Sequence, residues 1–160
     1  MAVGGVATSF ASRPRALPAI AVGGFIAGAL DMTYAIVVYS LKQPILVPQT
    51  IASGLLGAKS YEGGMRTAVL GTVLHFVIAF GAATVYYLAS RKLTFLIDHA
   101  VLAGMAYGAL VYGFMHVIVL PLSNVPPGGG MPMIYRVAEF VWHWFGVGLP
   151  IALSVRHYSK

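Results

Sequence analysis

Near the start of its last apolar segment the chain reads Arg136-Val137-Ala138-Glu139-Phe140-Val141-Trp142-His143. At about 100° per residue, Arg136, Glu139 and His143 fall on one stripe of a helix. An ionisable group inside a bilayer costs roughly 2.5 kcal/mol or more, so these side chains should face partners and not lipid. The stretch therefore predicts a membrane-spanning helix with one polar face turned toward other helices.

The composition of the 160-residue chain excludes a water-soluble globule. Hydrophobic residues make up 59% of it and charged residues 9%, whereas a soluble domain carries about 25% charged residues. Cysteine is absent from the sequence, which removes disulfides, thiolate metal sites and cysteine nucleophiles. The basic residues behind the net charge of +6 flank apolar segments. They favour membrane topology and lipid headgroups over nucleic acid, so we expect the lipid bilayer as partner.

Four apolar segments are long enough to cross a bilayer, which needs about 20 residues. They cover residues 17–41, 66–89, 99–122 and 133–155. The sequence thus predicts an all-α fold, a four-transmembrane-helix bundle within 17–160, preceded by a cytoplasmic N-terminal segment at 1–16. Pro150 should kink the last span or mark where its inner end begins.

The longest connector, between the first two spans, holds a second helical signal. Residues 48–57 are apolar but too short to cross a bilayer, which predicts a short interfacial or re-entrant helix. Tyr34, Tyr39, Tyr61 and Tyr135 lie near the same predicted surface and suit an aromatic belt.

The distribution of lysine and arginine predicts the orientation. With the N-terminus inside, the inner side carries Arg13, Arg15, Arg91, Lys92, Arg156 and Lys160. The outer side then carries Lys42, Lys59, Arg66 and Arg136. Because basic residues concentrate on the cytoplasmic side, both termini should be cytoplasmic.

Five ionisable residues fall at a similar depth when each helical residue is given a rise of 1.5 Å, roughly 8 to 17 Å below the outer surface. They are Asp31, His75, His116, Glu139 and His143. Asp31 and His75 share their helix stripes with small residues, which mark close helix contacts. The sequence therefore predicts that the five side chains converge inside the bundle, with Tyr112 and Arg136 in supporting positions.

Such a cluster has several chemical interpretations. Histidines and carboxylates can relay protons or hold a small ligand. Imidazoles with a carboxylate can also ligate a metal, and histidines on facing helices can hold haem. The candidate metal ligands are His75, His116, Glu139 and His143. A purely structural network remains the fourth interpretation, because Arg136 can pair with Glu139 and Tyr112 with His116.

Two small-residue motifs favour a further alternative. Gly24-x-x-x-Gly28 and Gly104-x-x-x-Gly108 have the spacing of close helix packing, so they predict helix–helix partners or a homo-oligomer. The chain would then be an accessory or assembly subunit of a larger membrane complex. The sequence lacks a phosphate loop, a serine triad and a Gly-x-Gly-x-x-Gly context, which favours a non-enzymatic protein.

An ordered set of short motifs resembles a known family. The set comprises Gly24-Phe-Ile-Ala-Gly28, His75 with an apolar run to Tyr86, Leu102-Ala-Gly104, His116-Val-Ile-Val-Leu-Pro121-Leu122 and Glu139-x-x-x-His143. In this combination the chain resembles the YagU-like family of small multi-pass bacterial inner-membrane proteins. The resemblance implies an inner-membrane location, a poorly defined activity and a connection to acid stress. It marks His75, His116, Glu139 and His143 as site residues.

Overall fold

A computed structural model describes residues 15–127 and 131–159 of the chain. These residues form helices and loops and contain no strand. The helices are α1 (Ala16–Tyr39), α2 (Leu46–Leu56), α3 (Gly64–Ser90), α4 (Phe95–Asp98), α5 (Ala100–Leu122) and α6 (Met133–Tyr158). Most of the predicted N-terminal segment, including Arg13, lies outside the described residues, as do Gly128, Gly129, Gly130 and Lys160.

Four of these helices, α1, α3, α5 and α6, are long and apolar enough to cross a membrane. The predicted all-α bundle of four spans is therefore confirmed, with each boundary within a few residues of its predicted place. Successive spans run in opposite directions. The backbone N–H of Arg15, before α1, donates to the carbonyl of Tyr158 at the end of α6, at 3.0 Å. We call this end of the bundle the termini end and the opposite one the α2 end.

The spans pack in the order α5, α6, α1 and α3, and glycines allow their backbones to approach. On α1, Gly24 and Gly28 face the rings of Phe80 and Phe76 on α3. On α5, Gly108 lies against the His143 carbonyl so closely that a methyl group there would clash. Gly104 likewise faces Gly148 and Ala152 of α6.

The two glycine motifs are thus occupied by helices of the same chain. A contact of these motifs with a separate helix or a second copy stays a prediction, and the contacts observed at these glycines are within the chain. The spacing of small residues indicates that two helices approach closely. It does not indicate which two.

The helix predicted in the first connector is confirmed as α2, which packs against the start of α3. The side-chain amide of Gln49 donates to the Gly64 carbonyl at 3.1 Å. At the other end of α2, the backbone N–H of Asn124 donates to Gly54 at 2.9 Å, and its side-chain amide donates to Leu55 at 3.2 Å. The two bonds from Asn124 satisfy carbonyl groups that the C-terminal end of α2 leaves open, so α2 is attached both to the start of α3 and to the connection between α5 and α6.

Two spans widen into π-helical turns, at Met115–Val119 in α5 and His143–Gly148 in α6. Each wide turn ends two residues before a proline, Pro121 or Pro150. Proline lacks an N–H and its ring crowds the carbonyl four residues earlier, so a wider turn relieves the clash. The irregularity expected at Pro150 is present in this form, and π-helical turns occur frequently at functional sites.

Candidate functional site

The five ionisable residues lie at similar distances along their helices from the α2 end. Counted from the helix ends at 1.5 Å per residue, they lie about 9 to 17 Å from the α2 end. Their directions around the helix axes differ, however. Around the bundle, the five residues divide among three different helix–helix contacts.

His116 and His143 meet around Tyr112 in the contact between α5 and α6. The His116 ring stacks on the Tyr112 ring with centroids 3.9 Å apart, and the His143 ring meets it edge-on at 5.2 Å. His143 is only 7% exposed. The Tyr112 hydroxyl donates to the Arg136 carbonyl at 3.4 Å, so Arg136 supports the cluster through its backbone while the residue itself is exposed.

Both histidines bind a backbone carbonyl in the same way. Nδ1 of His116 lies 3.0 Å from the Tyr112 carbonyl, and Nδ1 of His143 lies 2.9 Å from the Glu139 carbonyl. A carbonyl only accepts hydrogen bonds, so Nδ1 carries the proton of the neutral ring and Nε2 carries the lone pair. Each ring is therefore oriented by its own helix and keeps a basic nitrogen for another partner.

His75 lies apart from this pair, in the contact between α1 and α3. Its Nε2 is 2.9 Å from the Gly28 carbonyl of α1, and its ring meets Phe76 edge-on. By the same reasoning, Nε2 is the protonated nitrogen in the neutral ring. His75 fastens α1 to α3 at a close glycine contact.

The predicted metal set of His75, His116, Glu139 and His143 is not assembled. Over residues 15–127 and 131–159, no group of three or more histidines and carboxylates is placed to hold a metal ion. The reason is that His75 faces α1 while His116 and His143 face Tyr112. Both imidazoles of the pair pack against the same Tyr112 ring, whereas haem ligation requires imidazoles that face an open pocket.

Asp31 and Glu139 border a third contact, between α1 and α6, which is built from aromatic rings. The Tyr34 and Trp142 rings stack at 4.7 Å, only 10° from parallel. Tyr39 meets Tyr34 edge-on at 6.1 Å and Tyr135 at 6.2 Å. We call Tyr34, Tyr39, Tyr135 and Trp142 the aromatic seam.

The polar atoms of the seam are incompletely paired. The Tyr39 hydroxyl lies beside the Glu139 carboxylate and the Tyr34 hydroxyl. It is nevertheless buried without a well-formed hydrogen bond to any residue described, and the same holds for the indole N–H of Trp142. A buried polar group without a partner is costly and rare in native proteins. The seam therefore has hydrogen-bonding capacity that the chain itself does not satisfy.

Sequence reasoning missed the seam because Tyr34, Tyr39 and Tyr135 fit a surface belt. A signal was available: Asp31-x-x-Tyr34 in α1 and Glu139-x-x-Trp142 in α6 each place an aromatic ring one turn from an acid. On two antiparallel helices in contact, such pairs can face each other.

Comparison with known proteins gives no relative. No family model, curated protein or solved structure matches this chain. Membership in the YagU-like family therefore stays a prediction from the motifs, and the site has to be interpreted from its own chemistry.

Proposed function

We propose that this membrane protein handles protons or a small ligand through polar residues buried at the α2 end of its bundle. The observation that supports the proposal best is the turn from Glu139 to His143. It places a carboxylate and a nearly buried imidazole one turn apart within a helix apolar enough to span a membrane. Ionisable groups in such positions usually mark pathways or binding sites, because a purely structural role needs fewer of them.

The two residues present complementary chemistry. The Glu139 carboxylate can accept a proton, and the His143 imidazole can both accept and donate one. His143 is held by its bond to the Glu139 carbonyl, so its Nε2 is the nitrogen free to act as a base. Tyr39 beside Glu139 supplies a buried hydroxyl with capacity to spare.

Location and orientation belong to the same proposal. The excess of basic residues at the termini end supports cytoplasmic termini. In that orientation, the turn from Glu139 to His143 would lie in the outer half of the membrane. The resemblance to the YagU-like family supports a bacterial inner membrane and a role under acid stress.

The test measures proton flux into liposomes that contain the purified protein. A pH-sensitive dye inside the liposomes follows the flux after the external pH is lowered. Glu139→Gln and His143→Ala should each slow proton entry at least roughly tenfold, since each removes a positioned proton-transfer group. The matched controls are Asp98→Asn and His157→Ala, because both residues are exposed near the termini end. Equal flux in all four variants and the parent would reject proton handling.

The two glycine motifs no longer favour the alternative of an accessory or assembly subunit. Their contacts are made within the chain, at Gly24, Gly28, Gly104 and Gly108. A metal or haem protein is the other alternative. It is disfavoured by the division of the histidines between two separate helix contacts. Buried polar chemistry in the α5–α6 and α1–α6 contacts is the feature that a function has to explain.

A further inference from the structure

We infer that the aromatic seam, with Asp31 and Glu139 beside it, binds a hydrophobic organic cation such as a quaternary ammonium ion. This inference rests on the proposed function and deepens it by naming the class of ligand. It is carried by three features that meet in the contact between α1 and α6: aromatic faces, carboxylates and a buried hydroxyl.

The rings supply the first feature. Tyr34 and Trp142 stack at 4.7 Å, while Tyr39 and Tyr135 stand across them at a steep angle. The stacked pair and the two rings that meet edge-on form one continuous aromatic cluster between α1 and α6. Aromatic faces attract cations, most strongly when the cation is poorly hydrated, and cages of such rings recognise quaternary ammonium groups.

The carboxylates supply the second feature. Asp31 lies one helical turn from Tyr34 on α1, and Glu139 lies one turn from Trp142 on α6, so each carboxylate is next to one ring of the stacked pair. Two acids inside the hydrophobic length of a bundle call for compensation, which either protonation or a bound cation provides.

The third feature is the Tyr39 hydroxyl, buried beside Glu139 without a well-formed partner in the part of the chain described. A hydroxyl can donate to a carboxylate and still present lone pairs to a cation. His143 does not serve as the counter-charge in the seam, because its ring faces Tyr112 on α5.

An organic cation fits these features better than a metal ion. A metal requires several oxygen or nitrogen ligands at short range. No such group of three is present in residues 15–127 and 131–159. Four rings and two carboxylates instead match a large, weakly hydrated cation with one charge.

The experiment measures binding of benzyltrimethylammonium to the purified protein in neutral phosphatidylcholine nanodiscs. The chain has two tryptophans, so Trp144→Phe leaves Trp142 as the only indole and makes its fluorescence a reporter of the seam. Equilibrium dialysis of the radiolabelled cation gives the affinity independently. The neutral isostere neopentylbenzene serves as the competitor that lacks the charge.

We expect saturable quenching of Trp142, at least tenfold weaker binding in Glu139→Gln and in Asp31→Asn, and no change in Asp98→Asn. Trp142→Phe should retain more affinity than Trp142→Leu, since phenylalanine keeps an aromatic face. Circular dichroism and monodisperse elution confirm that each variant is folded. If a carboxylate variant fails to fold, the affinities of Trp142→Phe and Trp142→Leu for the cation still test whether an aromatic face binds it.

No saturable binding, equal affinity in folded Glu139→Gln, equal affinity in Trp142→Phe and Trp142→Leu, or equal competition by neopentylbenzene would each overturn the inference. Proton flux that depends on Glu139 without cation binding would reject the cation site alone and leave the proposed function standing. Cation binding with flux that is indifferent to Glu139 and His143 would instead keep the site and reject proton handling.

Discussion

Gly108 is the position where α5 and α6 come closest beside the candidate site, and Gly108→Ala perturbs that contact by a single methyl group. The new Cβ would overlap the His143 carbonyl and lie 2.8 Å from the Trp144 Cα. Both neighbours are backbone, so no side chain can rotate away. The helices would have to separate, which moves His143 away from Tyr112.

The expected loss follows from this geometry. Overpacking a tight contact costs typically 1–3 kcal/mol, and we place this contact between two backbones near the middle of that range. We expect Gly108→Ala to lower the free energy of unfolding by about 2 kcal/mol, or roughly 30-fold in the folding equilibrium.

The matched control lies on the same helix. An added Cβ at Gly113 meets nothing within 4 Å, so Gly113→Ala should be neutral or stabilise by up to about 1 kcal/mol through helix propensity. Reversible unfolding in mixed micelles, followed by circular dichroism, measures the free energy of unfolding of both variants. Equal stabilities of Gly108→Ala and Gly113→Ala would refute the close contact between α5 and α6.

Substitutions at two further residues test contacts on which the arrangement of the helices depends. Tyr112→Phe should change the free energy of unfolding by less than about 0.5 kcal/mol, because the hydroxyl's bond to Arg136 is long at 3.4 Å. Tyr112→Ala should cost about 2 kcal/mol, because it removes the ring between two imidazoles; equal losses in the same micelle assay would contradict this assignment. Asn124→Ala removes the side-chain bond to Leu55 and should speed amide hydrogen exchange at the end of α2, while exchange in the middle of α3 stays unchanged. Uniform acceleration in both helices would show that Asn124 acts on the whole bundle instead.

The spans and their boundaries could be predicted because the transfer of an apolar segment into lipid depends on local sequence alone. Placing Asp31, His75, His116, Glu139 and His143 at one depth needed only the helical rise. Their angular positions needed the neighbours of each helix, which the sequence does not state. His75 therefore turned out to face the Gly28 carbonyl on α1, away from the other histidines.

The aromatic seam shows a second limit of the sequence. Tyrosine near a helix end is typical of a membrane interface, and nothing local separates Tyr39 from a tyrosine that faces lipid headgroups. Only the pairing of α1 with α6 places Tyr34 on Trp142. The wide turn in α5 was also missed, although Pro121 has the same relation to it as Pro150 has to the turn in α6.

Paired-cysteine cross-linking in native membranes tests the seam directly, because the natural chain contains no cysteine to interfere. Tyr34→Cys combined with Trp142→Cys should be joined within one chain by a short bismaleimide and identified as a linked peptide by mass spectrometry. Tyr34→Cys combined with Trp144→Cys should remain unlinked, since the Trp144 ring packs against Phe140. Cross-linking of the second pair and not the first would contradict the arrangement of α1 against α6 from which the proposed chemistry follows.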